Sequence, residues 1–177
     1  MNVYFSGMIG SGKTTIGRKL AGLLEREFLD LDQEMDRILG CSFHKLVQEQ
    51  GWLAFRELEY SICKDFSKRR NAVIALGGGT MRYEWNRDIL KGSGIIIHLN
   101  TPLKVLIERV RRADRPRVHA STTLEEDVHR IWTESSRKYL DSADIIYETA
   151  QKSIKDEIRE LKEIITDLQK TRSEHGF

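Results

Sequence analysis

Residues 7–14 read GMIGSGKT and match the pattern GxxxxGK[ST], a glycine-rich loop that ends in lysine and threonine. An apolar run, Val3–Ser6, precedes the loop, and an amphipathic segment, Thr14–Arg26, follows it. This strand–loop–helix setting is the one that the motif requires. Gly10 and Gly12 allow successive backbone N–H groups to point inward at a β-phosphate, and the positive end of the following helix adds to the attraction. The motif predicts a nucleoside triphosphate as ligand, but it does not identify what receives the phosphate.

The last two residues of the loop carry chemistry of their own. A lysine at the position of Lys13 bridges the β- and γ-phosphates of the nucleotide. A hydroxyl at the position of Thr14 binds Mg²⁺. The sequence therefore predicts both a phosphate contact and a metal contact at this loop.

Short β-rich runs alternate with longer amphipathic segments along most of the chain. The runs Val73–Leu76 and Ile95–Ile97 are continuously apolar, which is typical of central parallel strands that helices cover on both faces. The pattern predicts an α/β fold, a three-layer doubly wound parallel sheet of about five strands. The predicted strands are Val3–Ser6, Phe28–Leu31, Ala72–Leu76, Gly94–Leu99 and Ile145–Tyr147.

Length and composition favour one domain over residues 1–177, of which 40% are hydrophobic and 32% charged. Lys+Arg 29 against Asp+Glu 27 leaves a net charge of +2, too balanced for the one-sign field of a general nucleic-acid binder. No apolar run approaches the roughly 20 residues that cross a bilayer, and the N-terminal residues lack the pattern of a secretory signal. We therefore expect a cytoplasmic domain with no nucleic-acid partner and no membrane partner.

Three segments stand outside the simple alternation. Residues 33–70 insert helical segments between the second and third strands, and such an insertion usually carries the second substrate. The segment 113–123, ADRPRVHASTT, is polar and joins two helices, so it predicts a mobile lid beside the active face. A C-terminal helix over residues of about 152–170 carries an apolar stripe that either packs on the domain or binds a partner.

Candidate residues for the second substrate follow the second and third strands. Asp30 and Asp32 are two residues apart on a predicted strand, so their side chains project from one face. One carboxylate can hold a Mg²⁺-bound water while the other accepts a hydroxyl proton. The alternative for Asp32 is a helix N-cap. Gly77, Gly78 and Gly79 let a ligand approach the backbone closely, or form a plain tight turn.

The insertion contributes Phe55, Arg56 and Glu59, whose spacing lets them share one helical face. They would supply an aromatic wall, a fixed cation and the carboxylate that orients it, which suits a small anionic or polyhydroxylated substrate. The alternative is an ordinary surface ion pair, which contributes little. A GTPase is disfavoured, because the chain has no NKxD motif and no DxxG after its third strand.

These motifs, in this order and spacing, resemble the shikimate kinases, small P-loop kinases of the nucleoside-monophosphate-kinase type. The segments that carry the resemblance are GMIGSGKTTIGRKLA, FLDLD, GWLAFRELE, ALGGGT and the pair Arg115-Pro116, and it covers roughly residues 1–148. The resemblance implies a monomer that transfers the γ-phosphoryl group of ATP, with Mg²⁺, to the 3-hydroxyl of shikimate, in the pathway to chorismate and aromatic amino acids.

The resemblance also implies roles for individual residues. The implied ATP contacts are Gly10, Ser11, Gly12, Lys13, Thr14, Thr15, Arg109 and Arg115. The implied metal contacts are Thr14 and Asp30, and the implied catalytic residues are Lys13, Asp32 and Arg115. The implied shikimate contacts are Asp32, Arg56, Glu59, Gly77, Gly78, Gly79 and Arg137. Asp32 would act at the reacting hydroxyl, Arg56 at the carboxylate, and Arg115 would close over the phosphates with the lid.

The chain departs from the family pattern at Ser135. The family carries an arginine four residues before a tyrosine, here Tyr139, and that arginine grips the substrate carboxylate. Arg137 would point about 200° around a helix from Ser135, whereas Lys138 would lie nearer to the helix face that carries Ser135. We hypothesise that one of them restores the contact. Ser135 and Trp52, which stands where the family often has a small or acidic residue, favour an alternative: a P-loop kinase for another acceptor. A further alternative is a nucleotide-binding regulatory protein without catalysis.

Overall fold

The computed structural model describes residues 1–112 and 123–174 of the chain. The predicted lid, apart from Thr123, lies outside the described residues, and so does the predicted catalytic residue Arg115. Within the described ranges, none of the helices combines the length and the apolar composition that a membrane span needs.

Five parallel strands form one sheet: β1 (Asn2–Ser6), β2 (Phe28–Asp30), β3 (Val73–Ala75), β4 (Gly94–Asn100) and β5 (Ile145–Glu148). Their order across the sheet is β2-β3-β1-β4-β5. Val3 at its centre pairs with Val73 on one side and with Ile95 on the other. This arrangement confirms the predicted doubly wound parallel sheet.

Seven helices and one 3₁₀ helix, Thr80–Arg82, accompany the sheet in the described part of the chain. The longest helix bends at Gly51, whose φ of 83° and ψ of 178° interrupt the helical backbone. Its two halves belong to the predicted insertion. The helices are α1 (Lys13–Leu23), α2 (Leu31–Leu39), α3 (Phe43–Ser67), α4 (Glu84–Lys91), α5 (Leu103–Arg112), α6 (Leu124–Ser142) and α7 (Ile154–Glu174).

Helices cover both faces of the sheet because neighbouring strand residues point to opposite sides. Tyr4 packs into one buried cluster with residues of α2, α3 and α6, whereas Val3 packs into a second cluster with residues of α1 and α7. In α7, Leu161 and Ile165 are fully buried in this second cluster. The C-terminal stripe therefore packs on the domain, which decides between its two predicted roles.

Candidate active site

The glycine-rich loop connects β1 to α1 at the carboxyl end of the central strand. Gly10 and Gly12 have φ values of 82° and 99°, in the left-handed region that favours glycine. The Nζ atom of Lys13 donates to the carbonyl oxygens of Gly7 at 2.8 Å and Met8 at 3.0 Å, so the ammonium group lies over the loop. The loop borders a cavity of about 710 Å³.

Most of the predicted ATP contacts lie on this cavity. Gly10, Gly12, Lys13, Thr14, Thr15 and Arg109 line it. Ser11 is buried within the loop, and its N–H group donates to the carbonyl oxygen of Met8.

Thr14 and Asp30, the two predicted metal contacts, are hydrogen-bonded to each other, with Thr14 Oγ1 donating to Asp30 Oδ2 at 2.7 Å. The other oxygen of Asp30 accepts the N–H groups of Asp32 and Gln33 and so caps α2. The strand β2 ends at Asp30, so Asp32 lies in the first turn of α2. The prediction that both aspartates share one strand face is wrong, and the N-cap is Asp30 rather than Asp32. Both carboxylates nevertheless line the cavity.

The donor atoms at Thr14 and Asp30 fit a magnesium ion. Mg²⁺ prefers oxygen ligands, and it takes one or two protein groups together with substrate phosphates and water. In residues 1–112 and 123–174, no group of three or more His, Cys, Asp or Glu side chains could hold a metal by itself. A hydroxyl and a carboxylate beside a phosphate-binding loop match the sparse protein ligation that Mg²⁺ accepts.

The three glycines after β3 allow three close approaches. A Cβ atom on Gly77 would lie 3.1 Å from Asp32 Oδ1, and a Cβ atom on Gly78 would lie 3.3 Å from the backbone nitrogen of Ile9. A Cβ atom on Gly79 would lie 3.1 Å from the guanidinium of Arg56. The glycines therefore bring the phosphate loop, a carboxylate and a guanidinium together, which a plain tight turn would not require.

Arg56 and Glu59 form a buried ion pair with an Nη1–Oε2 distance of 2.8 Å, so the alternative of a surface pair is wrong. The Glu59 side chain is 1% exposed. Glu59 also accepts hydrogen bonds from Thr80 Oγ1 at 2.8 Å and from Asn86 Nδ2 at 3.3 Å. Arg56 lines the cavity, whereas Glu59 lies behind it and fixes its position.

Three aromatic rings surround the Arg56 guanidinium. Its central carbon lies 4.6 Å from the ring centre of Tyr83, 4.7 Å from that of Phe55 and 5.4 Å from that of Trp52. These are cation–π distances. Trp52 remains 47% exposed, so it lines the cavity and does not fill the core. The cation predicted from the sequence is thus held by a carboxylate on one side and by aromatic faces on others.

The end of the cavity away from Arg56 is lined by residues of α5 and by residues at and just before the start of α7. Arg109 Nη1 donates to the carbonyl oxygen of Gly10 at 3.1 Å. Ala150, Lys152, Ile154 and Glu157 also line this end. Glu157 is buried, and its Oε1 accepts the N–H group of Ala150 at 2.6 Å. Sequence reasoning missed Glu157, because nothing in the local pattern distinguishes it from the other acidic residues of α7.

The structure corrects the prediction for Arg137. Its side chain is 93% exposed and pairs with Asp141 on the same helix. Lys138 is exposed as well, whereas Ser135 and Tyr139 are buried. The helical phase explains the difference, because α6 turns its buried face away from Arg137. Tyr139 donates a hydrogen bond to the carbonyl oxygen of Gly78, so this face of α6 supports the glycine segment.

His98 lies behind the phosphate loop and was not predicted. It is buried on β4, with Nδ1 at 3.2 Å from Ser6 Oγ, and its ring stacks on that of Tyr139. Burial and the nearby charge of Lys13 lower the pKa of His98 from its ordinary value of 6.5 to about 4. The imidazole is therefore neutral at neutral pH.

The sheet topology, the loop and the two-ended cavity put the chain among the P-loop kinases that act on small molecules. The family model described as shikimate kinase matches residues 9–168. The chain belongs to the shikimate kinase family.

Individual relatives agree with this assignment. The shikimate kinase of Acinetobacter baylyi is 34% identical over 165 residues, 93% of this chain and 91% of that protein. The shikimate kinase of Chlorobium luteolum is 35% identical over 167 residues, 90% of this chain and 82% of that protein. The solved structure of shikimate kinase from Acinetobacter baumannii in complex with shikimate superposes with a TM-score of 0.87 at 32% identity, covering 94% of this chain and 93% of that one.

Proposed function

We propose that the chain transfers the γ-phosphoryl group of ATP to the 3-hydroxyl of shikimate, giving shikimate 3-phosphate and ADP. The single observation that carries this proposal is the continuous cavity, which runs from the phosphate loop to a compartment with a carboxylate, Asp32, and a fixed guanidinium, Arg56. Family membership and the shikimate bound to the Acinetobacter baumannii relative support the choice of acceptor.

Asp32 is the proposed base. The 3-hydroxyl oxygen attacks the γ-phosphorus, the bond from that phosphorus to the bridging oxygen of ADP breaks, and the hydroxyl proton passes to the Asp32 carboxylate. Asp32 suits this role because it lies against Gly77, at the junction between the phosphate loop and the acceptor compartment. A fixed base keeps the attacking oxygen aligned with the γ-phosphate.

Lys13 and the loop amides hold the transferred phosphate. The Lys13 ammonium lies on two loop carbonyls, from which it can turn to the β- and γ-phosphates. Gly10, Gly12 and Thr15 border the same space, and Arg109 borders the nucleoside end. Arg115 keeps its proposed role of neutralising charge on the phosphates from the lid.

Thr14 and Asp30 would hold Mg²⁺ in this proposal. The ion supplies positive charge at the phosphates when it is bound. Asp30 accepts a hydrogen bond from the Thr14 hydroxyl and also caps α2, so it fixes the start of the helix that carries Asp32. The same carboxylate therefore links the proposed metal contact to the proposed base.

Arg56 is the proposed partner of the shikimate carboxylate. A planar guanidinium binds a carboxylate through two parallel hydrogen bonds. Gly78 and Gly79 provide the backbone beside it, and Glu59 acts by fixing Arg56. We also propose that the enzyme works as a cytoplasmic monomer, which sedimentation at assay concentration would test.

A coupled assay of ADP release tests the proposed function. It contains ATP, Mg²⁺ and shikimate, with quinate, gluconate and nucleoside monophosphates as rival acceptors. We expect turnover that depends on shikimate and disappears in Lys13→Ala. Turnover with a rival acceptor alone would favour a kinase of changed specificity, the alternative that Ser135 and Trp52 suggest. Absence of ADP release with every acceptor would favour a nucleotide-binding regulatory protein without catalysis.

A further inference from the structure

Arg82 is the last residue of the 3₁₀ helix that follows the three glycines, and two of those glycines, Gly77 and Gly78, line the cavity. The backbone N–H group of Arg82 donates to the carbonyl oxygen of Gly79 at 3.1 Å. Gly79 is also the residue against which the Arg56 guanidinium packs. Gly79 is therefore in contact with the guanidinium of Arg56 and with the backbone of Arg82, although the two arginines come from different elements of the fold.

The charge of Arg56 is already balanced by a buried partner. Glu59 pairs with it at 2.8 Å and is almost fully removed from solvent. Arg56 and Glu59 together carry no net charge, so an acceptor carboxylate would gain from a second cation at this end of the cavity.

The charge of Arg82 is only partly balanced, because its carboxylate partner also pairs with a second arginine. The Nη2 atom of Arg82 lies 3.3 Å from Oε2 of Glu134 on α6, and the same carboxylate is paired with Arg130 Nε at 3.0 Å. Two guanidinium groups thus share Glu134, and Arg130 holds it from its own helix. Arg82 can exchange Glu134 for a ligand without leaving that carboxylate unpaired.

Tyr139 lies within electrostatic reach of both Arg82 and Arg56. Burial raises the pKa of its hydroxyl, and the positive charges of Arg82 and Arg56 both oppose that rise. The same hydroxyl donates to the carbonyl oxygen of Gly78, which lines the cavity. Both guanidinium groups therefore lie within electrostatic reach of one point on the cavity wall. Arg137 is directed to solvent instead.

We propose that Arg82 is the second guanidinium for the acceptor carboxylate, supplied from the 3₁₀ helix after the glycines and drawn from Glu134 when substrate binds. This inference rests on the proposed function, because it assumes an acceptor that carries a carboxylate. Arg82 is 25% exposed, so its planar donor group has room to turn toward the cavity.

Comparison of shikimate with its methyl ester tests the proposal, because the ester keeps the hydroxyl groups and lacks the negative charge. We expect Arg82→Gln to raise the KM for shikimate about tenfold to a hundredfold, as loss of a charge-assisted hydrogen bond does. The KM for the ester stays at its wild-type value, and Arg82→Lys recovers part of the loss. Arg87→Gln is the matched control, because Arg87 pairs with Glu84 within α4.

An unchanged KM for shikimate in Arg82→Gln would overturn the proposal. An equal loss for shikimate and ester would also overturn it, since a structural defect does not depend on the substrate charge. Circular dichroism of each variant checks that the fold is retained. Wild-type enzyme that fails to use shikimate would contradict the proposed function itself, so the two failures are distinguishable.

Discussion

The two ends of the cavity are built in different ways. At the proposed nucleotide end, a contiguous loop supplies the backbone conformations of Gly10 and Gly12 and the cation of Lys13. At the proposed acceptor end, side chains from separate elements hold one another: Arg56 and Glu59 of α3 join Thr80 and Asn86, which lie after the third strand.

This difference determines how each end responds to substitution. A loop of backbone N–H groups accepts any triphosphate of the right geometry and depends little on distant side chains. A network of side chains can be altered by one substitution anywhere in it, so the acceptor end is where a change of specificity or affinity can arise. The variants below test whether the two ends fail independently.

The largest effect should come from Asp32→Asn. An amide cannot take the hydroxyl proton, so we expect kcat to fall by about 10²–10⁴-fold while the dissociation constant for ATP stays unchanged. Single-turnover kinetics and nucleotide titration measure the two quantities. Asp88→Asn, an exposed carboxylate on α4, is the control. Equal losses in kcat and ATP affinity would show that the two ends are not independent.

Glu59→Ala should disturb the acceptor end and the stability of the fold together. The substitution leaves the Arg56 guanidinium buried without its carboxylate, which costs about 3–5 kcal/mol. For a domain of this size, that loss lowers Tm by roughly 6–20 °C. The KM for shikimate should rise, with ATP affinity retained below the new Tm. Glu57→Ala, on the exposed side of α3, should change neither quantity.

The sequence predicted the strand–loop–helix setting of the glycine-rich loop because the whole motif is contiguous. It predicted the Arg56–Glu59 pair because helical spacing places the two residues on one face. It failed at Asp30 and Asp32, since the strand β2 has only three residues and its last carboxylate caps the next helix. Side chains two residues apart share a face only within a strand, so the argument does not apply to Asp32, which lies beyond the end of β2.

The remaining parts of the acceptor end depend on contacts between distant segments. Asn86 reaches Glu59 across 27 positions, and Arg82 reaches Glu134 across 52. Neither pair lies within a motif or within one helical period, so only the folded chain brings them together. Arg137 is exposed because α6 is a regular helix, and in such a helix position 137 faces away from the buried position 135. The geometry of an ideal helix was therefore sufficient to predict this exposure.

Acid should weaken the fold through His98, behind the nucleotide end. Its pKa is about 4 when folded and 6.5 ordinarily, so the unfolded chain binds the proton more tightly. Its contribution to stability, about 3 kcal/mol, is complete above pH 6.5 and is lost as pH falls toward 4. Urea unfolding at several pH values should show this slope in wild type and lack it in His98→Gln. The exposed residue His129, replaced by Gln, should leave the slope intact.

The smallest effect should come from Glu134→Gln, which leaves the acceptor end folded and changes only the competitor of Arg82. If Arg82 moves between Glu134 and the substrate carboxylate, removing the charge of Glu134 makes that exchange easier. We therefore expect the KM for shikimate to fall about two- to threefold, an effect in the range of one exposed ion pair. Glu84→Gln, which releases Arg87 on α4, is the control. A rise in the KM would mean that Glu134 holds Arg82 in its working position, and the exchange between the two carboxylates would then be wrong.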